Sequence, residues 1–409
     1  MAVPAPLAQP APIDAAPAVP AAGQAGRRRK LLFLVTEDWY FCSHRLPVAR
    51  AARDAGFEVV VATRVREHGE RIRGEGFRLQ PLSWRRRGDG IIGAAGAIGE
   101  IARLYRAERP DILHHVALKP VLFGAAAARL AFQQREAPVR VAAITGLGSG
   151  LRPARIAARL GKPALGWALR LAARDGRVIA QNPEDVAALI GLGVAAERIA
   201  LICGSGVDTG HFAPLPDPSG PAVTVALVAR MLRSKGVLDA VAAVRRLRAQ
   251  GAAIELVLAG PTDPDNPDSL DEAALRALAA EPGIEWLGQV EDVREVWSRA
   301  AIAVFPSTYG EGVPKALLEA AACGRPIVAA DMPGCREVVR HAETGLLVPP
   351  GDVAALAGAI AALADDPARR QAMGAAARAL SEREFDDAAV AEQTLAVYRA
   401  ALAEGRGGR

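Results

Sequence analysis

The feature that most constrains this chain is one pattern written twice. Short apolar runs alternate with longer stretches of helical spacing, first as LLFLVT from Leu31, VVVAT from Val59, ILHH from Ile112, VRVAAI from Val139 and VIAQN from Val178. Runs that are apolar without alternation suit strands buried on both faces, and strands that alternate with helices form a parallel sheet covered on both sides. From Cys203 to Pro221 the period vanishes into CGSGVDTGHFAPLPDPSGP, which has the composition of an interdomain linker. A second series then begins: VTVALVA, IELVLAG, IEWLG, AIAVFPS, PIVAAD and GLLVPP. The expectation is an α/β protein of two Rossmann-like, doubly wound domains facing a cleft, with ligands outside the carboxyl ends of the strands. The predicted boundaries are a disordered Ala/Pro leader over 1–26, an N-terminal domain over 27–204, a linker over 205–221, a C-terminal domain over 222–386, and a helix over 387–409 that crosses back to the first domain.

Composition narrows the function classes. No apolar run approaches the roughly 20 residues of a membrane-spanning helix, and the start lacks the pattern of a signal peptide, so a cytoplasmic protein is expected. The four cysteines, Cys42, Cys203, Cys323 and Cys335, lie far apart without CxxC spacing and suggest neither disulfides nor a zinc site. The net charge of +5 hides a division: residues 1–200 hold 30 Lys and Arg against 17 Asp and Glu, and residues 201–409 hold 20 against 28. A basic half beside an acidic half suits an anionic partner on one side only, or a solvated Arg-rich surface. Of the 50 basic residues 45 are Arg, and the five lysines are Lys30, Lys119, Lys162, Lys235 and Lys315. Where Arg is the default cation, a Lys marks a place that needs a compact ammonium rather than a planar fork.

Two segments concentrate candidate chemistry. In PSTYGEGVPKALLEAAACGRPIVAADMPG, from Pro306 to Gly334, an apolar run enters a turn at Gly312, and a helix is expected to begin near Val313 with Pro314 in its first turn. Free first-turn amides and the positive end of the helix dipole fit a phosphate, and Lys315 adds a mobile charge. Glu311 precedes the helix and Glu319 lies inside it, so a ligand across the helix start meets two carboxylates, which accept hydrogen bonds from hydroxyl groups. In VARMLRSKG, Arg230 and Lys235 lie five residues apart across a loop and can bracket a diphosphate. The acidic TDPDNPD, Thr262 to Asp268, reads as turn residues and not as a metal site.

The order VARMLRSKG, LVLAGP, IEWLGQV, FPSTYGEGVPKALLEAAACGRPIVAADMPG and GLLVPPGD closely resembles the retaining GT-B glycosyltransferases of family 4. The resemblance covers nearly the whole C-terminal half and implies a nucleotide-sugar donor, UDP-linked, with no metal or other cofactor required. It implies that Glu311 contacts the donor sugar, Glu319 the ribose, and Arg230 and Lys235 the diphosphate, while Gln289 and Val290 receive the base. The N-terminal half, with TEDWYFCSHRLPVARAARDAGFEVVVATR, DILHHVALKPVLFG and AITGLGSG, is similar to a branch acting on bacterial polysaccharide and lipid-linked sugars. This implies an acceptor-binding domain and a lipid-linked or polysaccharide acceptor. Ser43 and His44, expected to begin a helix, are candidates for a donor or acceptor phosphate, and Lys119 for an acceptor phosphate. His114 and His115 are candidates for the reacting centre or for core histidines. The Gly-rich loop common in the family's N-terminal domain is missing here.

Trp39, Tyr40 and Phe41 would shape the acceptor mouth, touch a polyprenyl chain, or simply pack as a loop. Arg152, Arg155, Arg159 and Lys162 share a helical spacing, and Arg85, Arg86 and Arg87 follow Trp84; together they would rest on an anionic membrane or form a solvated face. Nucleic acid is not an expected partner. Competing readings are a sugar-nucleotide epimerase of similar architecture and a non-enzymatic membrane-binding module. A nicotinamide-dependent oxidoreductase would place GxGxxG after the first strand, where this chain has TEDWYF.

Overall fold

The computed structural model describes residues 27–84, 90–133, 137–147, 166, 169–170, 173 and 176–407. The chain divides into two compact units, 1–202 with 390–409, and 203–389. The first holds strands β1 (Lys30–Glu37), β2 (Glu58–Arg64), β3 (Arg78–Pro81), β4 (Ile112–Val116), β5 (Val139–Ala143), β6 (Gly176–Ala180) and β7 (Ile199–Leu201). They form one parallel sheet in the order β3-β2-β1-β4-β5-β6-β7. The second holds β8 (Val223–Val228), β9 (Ile254–Ala259), β10 (Ile284–Trp286), β11 (Ile302–Phe305), β12 (Ile327–Ala330) and β13 (Gly345–Val348). Their order is β10-β9-β8-β11-β12-β13, again all parallel.

Each apolar run read from the sequence carries a strand. The strands without such a run are β3 and β7, at the two edges of the first sheet; β3 reads RLQP and is largely exposed. At its edge β3 needs no continuous apolar stretch, whereas β7 reads IAL and is mostly buried but has only three residues, too few for periodicity to announce it. At the centre, every residue of β4 and β11 is buried.

The segment 203–221 packs on the second unit. Val207 N–H donates to Phe385 O at 2.9 Å, Asp387 N–H to Val207 O at 3.0 Å, and Leu215 N–H to Cys323 O at 3.1 Å. Three arginines hold it by their planar forks: Arg378 donates to Phe212 O and Thr209 O, Arg325 to Pro216 O, and Arg370 pairs with Asp217 at 2.7 Å. Proline-rich backbone makes few ladder bonds of its own, so side-chain donors satisfy its carbonyls. The last helix, Asp387–Gly407, buries Val390, Leu395 and Tyr398 in a core cluster shared with β1 residues Leu31 and Phe33.

Candidate functional site

Both sheets reverse their strand order at one place, between β1 and β4 in the first unit and between β8 and β11 in the second. Loops leaving adjacent strands there run in opposite directions and leave a crevice. In the second unit the loop after β8 carries Arg230 and Lys235, and the loop after β11 carries Glu311. These loops meet: the Lys235 ammonium pairs with the Glu311 carboxylate and stands 5.1 Å from the centre of the Phe305 ring. The Arg230 guanidinium pairs with Asp263 in the loop after β9. Backbone contacts fix the arrangement, since Thr308 N–H donates to Ser234 O at 2.9 Å and the Ser307 hydroxyl donates to the same oxygen at 3.1 Å.

Two glycines permit this approach. Gly236 has φ 74°, and a Cβ there would stand 2.2 Å from Pro306 O. Gly334 has φ 22°, and its Cβ would stand 1.7 Å from Gly312 O, the residue after Glu311. No side chain heavier than hydrogen fits either position without moving the loop it supports.

The helix following Glu311 runs Lys315–Ala322. Pro314 is its N-cap residue, with extended ψ of 126°, and not a first-turn residue as expected; Gly312, Val313 and Pro314 are all buried in the turn that leads to it. Val313 lies close over Gly204, where an added Cβ would stand 3.3 Å from its side chain. The helix opens without a side-chain cap and without an acid in its first turn, so its positive end stays available to an anion. Lys315 is the first helical residue, and Glu319 lies one turn further along. The Glu319 carboxylate makes no hydrogen bond among the described residues. Burial pushes its pKa up to about 7, against the opposing pull of Lys315. Such a group is poised to accept hydroxyl hydrogen bonds from a bound ligand. Gln289 is exposed and Val290 half-buried just beyond β10, whose Trp286 indole donates to Gly260 O at 3.0 Å.

The first unit treats its candidates differently. His114 and His115 lie in the core on opposite faces of β4. The His114 imidazole shares a hydrogen bond with the Tyr398 hydroxyl and packs 5.0 Å from the Phe33 ring. His115 meets the Tyr105 hydroxyl at 2.9 Å and fills the space over Gly124. Both are about fully buried, and desolvation lowers both pKa values, that of His115 to about 3. The structure thus places them as neutral core histidines; alternation along a central strand sends both side chains into packed layers.

Ser43 and His44 do not begin a helix as expected but end the short helix Asp38–His44. At the other end of that helix Asp38, fully buried, accepts from Trp39 N–H at 2.8 Å, Arg66 N–H at 2.7 Å and His68 N–H at 2.9 Å, which ties the helix start to the loop after β2. The His44 ring stacks on Tyr40 at 4.1 Å, Trp39 packs edge-on against Tyr40, and Phe41 is core. Lys119 stands over the rings of Phe123 at 5.1 Å and Trp84 at 5.6 Å. Arg85, Arg86, Arg87, Arg152, Arg155, Arg159 and Lys162 lie outside the described residues.

Sequence reasoning passed over Asp263, Asp268 and Ser234. The Asp268 carboxylate accepts from Ser234 N–H at 3.0 Å and from its hydroxyl, which registers the cation loop against the loop after β9. Only the acid-rich turn TDPDNPD signalled the two aspartates, and a turn is what such composition ordinarily means. Among the described residues no group of three or more His, Cys, Asp or Glu is arranged to hold a metal ion. None of their helices is long and apolar enough to cross a membrane.

Comparison with known proteins follows the same division. A family described as glycosyl transferases group 1 matches residues 222–366, and one described as glycosyl transferase 4-like matches residues 30–182. An α-maltose-1-phosphate synthase of Mycolicibacterium smegmatis is 37% identical over 184 residues, 43% of this chain and 47% of that protein, so the chain spans about half the length of this relative. An N,N'-diacetylbacillosaminyl-diphospho-undecaprenol α-1,3-N-acetylgalactosaminyltransferase of Campylobacter jejuni is 26% identical over 369 residues, 87% of this chain and 94% of the relative. The solved structure of HepE from Anabaena in complex with UDP and glucose has a TM-score of 0.72 at 20% identity, covering 90% of this chain and 98% of that one. With two family matches on its two sheets and a GT-B fold throughout, the chain belongs to the group 1, family 4-like glycosyltransferases.

Proposed function

We propose that this chain transfers a sugar from a nucleotide-sugar donor, UDP-linked, to a lipid-linked or polysaccharide glycan, with retention at the anomeric carbon. The observation that carries the reading is the pairing of Lys235 with Glu311 at the β8/β11 reversal, with Arg230 on the same loop as Lys235 and paired with Asp263, beside an uncapped helix start and Glu319. In this reading Arg230, Lys235 and the helix amides neutralise the departing diphosphate. Glu311 holds the sugar hydroxyls as the ring gains positive charge, and Glu319 takes the ribose. Gln289 and Val290 face the base. HepE was solved with UDP and glucose, which favours a UDP-linked donor, and the Campylobacter relative acts on an undecaprenol-linked acceptor, which favours a lipid-linked one.

Positive charge for the leaving group comes here from side chains, so transfer is expected to continue after exhaustive treatment with EDTA; complete loss, restored by manganese or magnesium, would refute metal independence. The acceptor belongs to the first unit, where Lys119 follows β4 and Ser43 and His44 close the helix that follows β1. The basic composition of residues 1–200 supports peripheral binding to the cytoplasmic face of an anionic membrane. Incubation with a panel of UDP-sugars, scoring released UDP with and without polyprenyl-linked acceptors, tests the whole reading. Release that requires an acceptor supports it, and no release with any donor sinks it.

A further inference from the structure

The loop after β9 is bound closely to the cation loop after β8. Met231 N–H donates to Pro261 O at 2.9 Å, Leu270 N–H to Met231 O at 2.8 Å and Arg233 N–H to Asp268 O at 2.9 Å, while Leu232 and Ser269 form an antiparallel bridge. Asp263 is itself anchored, its N–H donating to the Ser269 hydroxyl at 2.9 Å. From that fixed point its carboxylate, 12% exposed, grips one nitrogen of the Arg230 guanidinium, whose side chain is 31% exposed. A guanidinium has five N–H donors in a rigid fork, so one occupied nitrogen leaves the others aimed by the one that is held.

We propose that Asp263 is a positioning residue for nucleotide diphosphate recognition, holding Arg230 in the orientation that meets the diphosphate. The proposal rests on the donor-site reading above. Two effects of opposite sign act at this residue. The carboxylate repels an incoming diphosphate, and its grip removes the rotamer freedom that Arg230 would otherwise lose on binding. An asparagine keeps an acceptor oxygen and removes the repulsion, whereas an alanine removes both. If orientation dominates, the two substitutions separate.

The test is calorimetric titration of the wild type, Asp263→Ala and Asp263→Asn with UDP, GDP and ADP and with the matching monophosphates, together with thermal melts. For the diphosphate that the wild type binds best, Asp263→Ala is expected to weaken binding about tenfold, the scale of one charge-assisted hydrogen bond. Its monophosphate is expected to lose less, and Asp263→Asn to bind at least as well as the wild type. Tight binding by Asp263→Ala overturns the proposal, as does an equal loss for diphosphate and monophosphate, which marks a merely structural role. Equal loss in both variants also overturns it, by showing that the charge and not the held orientation matters. A wild type that binds none of the three diphosphates is a separate failure, that of the donor-site reading, and removes the proposal with it.

Discussion

The two sheets share one strand permutation and put it to different use. In β10-β9-β8-β11-β12-β13 the central reversal is surrounded by charge on loops: Arg230 and Lys235 after β8, Glu311 after β11, Asp263 after β9. In β3-β2-β1-β4-β5-β6-β7 the titratable candidates sit inside the central strand, where His114 and His115 are sealed in packed layers and held neutral. The topology supplies a location; which residues occupy the loops beyond the strand ends decides whether that location can do chemistry.

Disturbing the loop crossing of the second unit is expected to have the largest effect. Gly334→Ala places a Cβ against Gly312 O, and the Glu311 turn must shift to admit it. A stability loss on the order of 2–4 kcal/mol is expected, read by urea unfolding, together with loss of donor binding. A variant as stable as the wild type would show that the turn yields easily and that its position is not held by Gly334.

Next in size are the charges themselves. Lys235→Ala and Glu319→Ala are expected each to remove about 1–3 kcal/mol of transition-state stabilisation, read as kcat/KM for transfer, with the fold retained. Turnover near the wild-type level in both purified variants would move the donor site elsewhere.

The first unit makes a complementary prediction about stability and not about catalysis. The folded His115 pKa is about 3 and the unfolded value about 6.5, so the unfolded chain binds the extra proton between them. The stability present above about pH 6.5 is therefore lost as the pH falls toward the folded value. Between pH 6.5 and 5 the loss is on the order of 2 kcal/mol for this residue. His115→Phe is less stable at neutral pH, because Tyr105 loses its partner, yet shows a shallower decline on acidification. An unchanged pH slope in that variant would mean that His115 is not the neutral core residue the geometry makes it.

The smallest effect sharpens the contrast from the donor side. Glu319 is raised to about 7, and a carboxylate accepting ribose hydroxyls binds better than the protonated acid. Affinity for a UDP-sugar, whose esterified diphosphate does not titrate in this range, is expected to fall by up to about tenfold as the pH drops from 8 to 6. Glu319→Gln is expected to show no such dependence. A wild-type affinity flat across this range would remove Glu319 from the hydroxyl-binding role. Sign matters for stability as well: raised above its unfolded value, Glu319 favours the unliganded fold below about pH 4.5 and ceases to do so as the pH rises through about 7.

The amino-acid sequence carries the repetition of apolar runs, and with it two parallel sheets, because strands buried on both faces must be continuously apolar. It also determined the local chemistry of EGVPKALLE and VARMLRSKG, since a turn, a helix start and their charged residues are close in the chain. It did not determine the edge strands, β3, which lacks that burial, and β7, which is only three residues long, nor the fate of His114 and His115. A run such as ILHH does not say where a strand ends and a ligand-facing loop begins, and here the strand continues through both histidines to Val116. It took the packed fold to bring Lys235 to Glu311 across 76 positions and Arg230 to Asp263 across 33, and to set Asp268 on Ser234. Those pairings depend on which strands lie side by side, and strand order is a property of the packed sheet that no local stretch of sequence contains.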